Sequence, residues 1–141
     1  MRISKIALGI LIAGMTLVAS GAASAQTLPT IVWPINANGF EGQLNIASVD
    51  AQGNLRGMLY GEPIFGFWDE ASQKITFMRI TDPADPSTFP IYTGFLFRDQ
   101  KRPDRPNLVY TLTGLFEAFQ GTGAVAQRVP YGWFAQFTPL P

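Results

Sequence analysis

Asp82-Pro83-Ala84-Asp85-Pro86-Ser87, Asp69-Glu70 and the pair Ser72 and Lys74 are the places where this 141-residue chain sets chemically competent side chains close together. Two carboxylates three residues apart could hold a calcium ion with help from carbonyls, but calcium loops need a denser acidic spacing. Asp-Pro initiates turns, and this segment is expected to form them. Asp69 and Glu70 are neighbours in a polar turn and point apart, so they cannot face each other across a cleft as a glycosidase acid and base must. Ser72 with Lys74 would need desolvation to make a nucleophile, which a turn in water does not provide. Glu117 stands among Leu115, Phe116 and Phe119, and strand alternation sets it opposite Phe116, facing outward. The chain contains no histidine and no cysteine. That removes the usual general base, the thiolate nucleophile and the commonest zinc ligands, and excludes a Ser-His-Asp system. The expectation is a non-enzymatic protein with no cofactor and no metal.

Residues 1–25 stand apart from the rest. Arg2 and Lys5 form a basic start, Ile6 to Val18 is nearly all apolar, and Ala23-Ser24-Ala25 is a small-residue cleavage signal before Gln26. This pattern predicts a secretory signal peptide and an exported protein, periplasmic or secreted. The apolar run is shorter than the roughly 20 residues that cross a bilayer. Residues 26–141 are then one domain with a single core. With Arg2 and Lys5 removed, eight basic residues face ten acidic ones, a net charge near −2 that offers no footprint for nucleic acid or anionic lipid. Without disulfides, stability must come from packing. All 18 aromatic residues fall in this portion, more than an adequate core requires.

Gly and Pro punctuate residues 26–141 at short intervals, and the segments between them alternate in Val, Ile, Thr, Phe and Tyr. Eight strands are expected, at about residues 30–36, 40–49, 55–61, 63–68, 74–81, 89–98, 107–119 and 131–138. Short turns join most of them, so sequential strands pair antiparallel. The expected fold is all-β, a single eight-stranded antiparallel up-and-down barrel, with an open β-sandwich as the alternative. Each strand reverses direction, so the odd-numbered loops gather at one end and the even-numbered loops at the other. The even end collects Asp50, Asp69, Glu70, Asp99, Lys101, Arg102, Asp104 and Arg105, a solvated mixed-charge rim. The odd end is less charged, richer in Gly, Thr, Gln and Pro, and is where a mouth is expected.

The order of three further elements adds a resemblance. Trp33 is followed closely by Asn36, Gly53-Asn54-Leu55-Arg56-Gly57 follows an acidic turn, and Tyr92-Thr93-Gly94 lies in the sixth strand. Together with Pro63-Ile64-Phe65-Gly66 and the strand Ile75 to Ile80, they make residues 30–138 similar in order to the avidin and streptavidin family of small barrels. The resemblance implies a barrel that holds a small ligand at the odd-loop end, usually in a tetramer, and carries over Asn36, Tyr92 and Thr93 as contacts. In that family a longer third loop closes over biotin, a pocket Trp ends the fifth strand and an Asp in the last strand binds the ureido group. Here the third connection is about Gly61 to Pro63, the fifth strand ends Met78-Arg79-Ile80, and the last reads Trp133-Phe134-Ala135-Gln136-Phe137.

The leading expectation is thus a barrel whose mouth takes a small, mostly apolar molecule. Asn36, Tyr60, Tyr92 and Thr93 are candidate contacts, with Trp68 or Trp133 as apolar walls. The sixth and eighth strands also carry aromatics on both faces, whereas a monomeric barrel needs only one apolar face per strand. The alternative function is therefore a protein-interaction or self-associating module, a homo-oligomer that uses outward aromatics. A membrane-embedded barrel is not expected: two strands are too short, and Arg56, Glu62, Lys74 and Arg98 interrupt the outer surface.

Overall fold

The computed structural model describes residues 27–99, 108–121 and 126–139. The expected signal peptide, and Lys101, Arg102, Asp104 and Arg105 of the sixth loop, lie outside the described residues. Eight strands form: β1 (Val32–Ala37), β2 (Phe40–Val49), β3 (Asn54–Leu59), β4 (Glu62–Asp69), β5 (Lys74–Arg79), β6 (Ile91–Arg98), β7 (Tyr110–Gln120) and β8 (Gln127–Phe137). They are hydrogen-bonded in sequence order, and β1 pairs with β8 through Ile35↔Ala135, Asn36↔Phe134 and Ala37↔Trp133, which closes the barrel. Closure leaves no sheet edge and decides against the open sandwich. No helix among the described residues is long and apolar enough to cross a membrane.

The turns follow from residues that accept positive φ. Asn38-Gly39 joins β1 to β2 at φ 52° and 86°, and Tyr60-Gly61 joins β3 to β4 at φ 54° and 83°. Two consecutive positive φ values match the twist of a tight hairpin. The loop before β6 is anchored locally: Asp82 Oδ1 accepts from the Ala84 amide, and Asp85 Oδ1 accepts from the Ser87 amide and hydroxyl. These carboxylates therefore cap turns, as Asp-Pro spacing suggests. Glu117 is exposed, on the outward face of β7.

The interior is filled by alternate residues of every strand. Trp33, Leu44, Ile46, Leu55, Leu59, Ile75 and Leu112 are among the side chains withdrawn almost wholly from water. Burying each such side chain is worth about 1.5–3 kcal/mol. The even-loop end is stoppered by the segment before β1: Leu28 is fully buried there, Pro29 O accepts from Trp33 Nε1 (3.2 Å), and Ile31 O accepts from the Ile46 amide (3.0 Å).

Midway up the barrel one row runs Ile75↔Gly94↔Gly114↔Trp133 across β5 to β8. The two glycines explain how an indole fits. A Cβ at Gly94 would lie 2.6 Å from Trp133 Cζ2, and one at Gly114 would lie 2.0 Å from Thr93 O. With both absent, the indole reaches over β7, and its Nε1 donates to Thr93 O (3.2 Å) and Leu115 O (3.1 Å). The polar end of a buried Trp is thereby satisfied.

Candidate functional site

One row above Trp133, the register places Phe77, Tyr92, Phe116 and Tyr131 side by side on β5, β6, β7 and β8. Inward alternation brings all four rings to one wall. Phe77 and Tyr92 stack at 4.8 Å and 5°, Tyr92 and Phe116 at 4.8 Å and 11°, and Phe116 and Tyr131 are tilted at 5.3 Å and 32°. Trp133 meets Phe77 and Tyr92 edge-on from below, at 6.0 Å each. Such aromatic pairs contribute about 0.5–1.5 kcal/mol each beyond the area they bury. The result is a continuous aromatic ladder on a rigid support.

Above the ladder the barrel opens at its odd-loop end into a cavity of about 440 Å³, lined among others by Ala37, Tyr60, Arg79, Tyr92, Phe116 and Tyr131. The volume falls within the roughly 300–1,000 Å³ typical of small-molecule sites. Its walls are mainly apolar, and a few polar groups converge on it. Tyr60 is held from three sides. Its hydroxyl donates to Phe40 O (2.7 Å), its ring occupies the space a side chain at Gly42 would need, and Arg79 Cζ lies 5.4 Å from the ring centroid. A bulky residue at positive φ is costly, and these contacts hold it there. Arg79 ends the inward set Ile75, Phe77, Arg79 of β5, and its Nε is 3.1 Å from Glu62 Oε2 on β4. The approach is an ion pair without hydrogen-bond alignment, since the buried Nε–H has no aligned acceptor among the described residues. On the opposite rim Gln120 Nε2 contacts the Tyr131 hydroxyl.

Burial pushes the Tyr92 phenol up to about 12, against the opposing pull of the Arg79 guanidinium. Burial also raises the Tyr60 phenol. Both rings are therefore neutral hydrogen-bonding groups at ordinary pH. A consequence can be measured. Because the folded Tyr92 value lies above its ordinary 10.0, the stability that its neutral form contributes is complete below pH 10 and is lost as pH rises toward 12. Denaturant midpoints recorded from pH 8 to 12 should fall across that window, and less steeply in Tyr92→Phe; equal slopes would show that Tyr92 does not titrate there.

The structure divides the six expected site residues. Tyr60 and Tyr92 line the cavity, and Trp133 braces the ladder from beneath without reaching the cavity wall. Asn36 does not belong to it: β1 turns Trp33, Ile35 and Ala37 inward, so Asn36 faces outward, and its Oδ1 accepts from the Gly39 amide (2.9 Å) to cap the first turn. Thr93 follows Tyr92 directly and so faces the other side of the sheet. Trp68 is buried at the even-loop end, because β4 runs from Glu62 at the mouth to Asp69 at the far turn. Arg79, Phe116 and Tyr131 are the residues that sequence reasoning missed. Alternation along β5, β7 and β8 was the signal that could have found them. No group of three or more acidic residues that could hold a metal ion occurs among the described residues. Comparison with protein-family models, curated proteins and solved structures finds no match.

Proposed function

We propose that this chain is an exported, non-enzymatic binding protein, an avidin-like barrel whose mouth holds one small, mostly apolar ligand against the aromatic ladder. The observation that carries this reading is the difference between the two ends: at one, Leu28 and Trp33 plug the interior and leave a hollow of about 370 Å³ among loop residues such as Asp50, Gln52, Asp69 and Glu70, while the other opens into about 440 Å³ directly above the Tyr92 and Phe116 rings. A barrel built only to be stable would fill both. Strand order and the placement of the mouth at the odd-loop end support the avidin-like reading. With Asn36 and Thr93 turned outward, Tyr60, Tyr92 and Arg79 take over as the polar contacts. A chain without His or Cys supports binding over catalysis. Titration with N-phenyl-1-naphthylamine, a neutral fluorescent aryl amine, tests the reading. Saturable uptake of one probe per chain is expected, and a signal that rises without saturation would overturn it.

A second reading is favoured by one feature of the outer surface. Phe65, Phe67, Met78, Phe95, Leu115 and Phe134 are exposed large apolar residues on β4 to β8, whereas on the opposite side Asn36, Glu41, Gln43, Asn45, Asn54 and Arg56 outnumber the apolar Val32, Pro34 and Met58. A lipid-immersed barrel carries an apolar band all round, and a one-sided face suits docking. Its charges are self-complementary. Lys74 (opposite Phe95) and Glu117 (opposite Ile91) lie diagonally across Thr93, one strand to either side of β6. A two-fold axis in the plane of the face, passing through Thr93, brings Lys74 of each copy against the partner's Glu117, as an isologous dimer requires. By sedimentation, Lys74→Glu or Glu117→Lys alone should weaken association about tenfold or more, and the double exchange should restore it. A wild-type chain that stays monomeric, or a face that instead floats with lipid vesicles, would sink the dimer.

A further inference from the structure

The ladder accounts for apolar affinity at the mouth and leaves open what Arg79 does there. Its side chain is about three-quarters withdrawn from water, at 23% exposure, and a charge so placed is costly unless its donors are satisfied. A guanidinium has five N–H donors in one plane. Among the described residues, Arg79 makes one polar contact, the unaligned approach of Nε to Glu62, and no side-chain hydrogen bond. Its remaining ends belong to a residue that lines the cavity, alongside the neutral phenol of Tyr92, whose hydroxyl has no hydrogen bond to another described residue. A cluster of donors faces a space bounded by stacked rings.

Building on the ligand site proposed above, we propose that Arg79 selects the ligand's polar edge: a flat, neutral aromatic molecule with a ring carbonyl, its face on the Tyr92–Phe116 rings and its oxygen accepting from the Arg79 guanidinium. Flatness follows from the ladder, whose stacked and tilted rings span β5 to β8. An acceptor follows from guanidinium donors at the cavity that no described residue engages in a hydrogen bond. Neutrality follows from the charges already present, since Glu62 balances Arg79 and Glu41 at the rim adds a further negative charge. An anionic ligand would be repelled by both carboxylates. A cationic one would meet the guanidinium itself.

Three probes of nearly the same size separate the alternatives: coumarin with a ring carbonyl, naphthalene without one, and 2-naphthoate with a charge. Each is titrated by quenching of intrinsic fluorescence. The wild-type chain should bind coumarin about tenfold more tightly than naphthalene, the worth of one hydrogen bond to a charged donor. Arg79→Met should bring the ratio to about one while naphthalene affinity changes less than about twofold. Glu62→Gln, which frees the guanidinium and keeps the side-chain volume, should preserve or raise the ratio, and it serves as a folded control if Arg79→Met destabilises the chain. A coumarin preference that survives Arg79→Met, or is absent in the wild type while naphthalene binds, overturns the role of Arg79 and leaves the ligand site intact. Tighter binding of 2-naphthoate than of coumarin overturns the neutral assignment. Failure of every probe to bind overturns both this inference and the site on which it rests.

Discussion

Ala118→Trp should abolish ligand binding while leaving the barrel folded. Ala118 is an inward residue of β7, one step above Phe116, and its methyl lines the cavity. An indole at that position projects over the Phe116 and Tyr131 rings and takes the volume a ligand would use. Overpacking a dense core costs about 1–3 kcal/mol, but here the added atoms enter open space. The apparent affinity for N-phenyl-1-naphthylamine should fall at least about a hundredfold, which corresponds to about 2.7 kcal/mol, and the urea midpoint should hold or rise. A marked fall in stability with binding retained would show that the cavity lies elsewhere.

The second large effect concerns what supports the ladder. Trp133→Ala should cost about 3–5 kcal/mol, the range for removing a large buried aromatic. The loss has identifiable parts. The indole is buried, it meets the edges of Phe77 and Tyr92, and it donates to two strand carbonyls that would be left without this donor. The space cannot refill from β6 or β7, because the facing residues are Gly94 and Gly114. Trp133→Phe keeps most of the volume, loses the N–H bonds and part of the ring system, and should cost about 1–3 kcal/mol. Urea unfolding followed by circular dichroism distinguishes the two, and equal costs would mean that the hydrogen bonds rather than the volume dominate. Both variants should also loosen the ladder and weaken probe binding, Trp133→Ala the more.

The relation between sequence and structure is uneven in an instructive way. The strands were legible because Gly, Asn and Pro mark the turns and because alternation holds along β1, β4 and β5, where inward residues such as Trp33 and Ile35, Ile64, Gly66 and Trp68, or Ile75 and Phe77 recur at every second position. The start of β8 was harder to read. Pro130 signals a break by itself, yet it pairs with Glu117 inside the ladder, so the strand begins at Gln127 rather than near Tyr131. Loop composition points to the odd-loop end for a mouth; a cavity of about 440 Å³ opens there, and another of about 370 Å³ lies among the even-end loops. The contacts within the mouth were less legible. Tyr92 and Thr93 are adjacent and so cannot share a face, while Asn36 lies between two inward residues; motif order points to Thr93 and Asn36, and alternation turns both outward. Alternation along β5 turns Arg79 to the inward side with Ile75 and Phe77. The register, which sets it beside Ile64 and within reach of Glu62 and Tyr60, then makes it a residue of the mouth.

Tyr60 joins the turn to the site. A residue so bulky at positive φ is a poor choice for a hairpin, where glycine or asparagine would fold at lower cost. What its ring adds is a wall across from the ladder, bonded through its hydroxyl to Phe40 O and fitted against Gly42. The third connection is only two residues long, so no lid grows from it. Among the described residues the Tyr60 wall is preformed, so a ligand that docks against it should bind with little rearrangement there.

The most direct measurement is native mass spectrometry of the wild-type chain and Ala118→Trp side by side, each purified from the protein's own host and then exposed to N-phenyl-1-naphthylamine. The expected result is one small non-covalent mass per wild-type chain, displaced or supplied by the probe, and a bare chain for the variant. A ligand mass on both proteins, or on neither after exposure to the probe, would contradict a binding site at the mouth of the barrel.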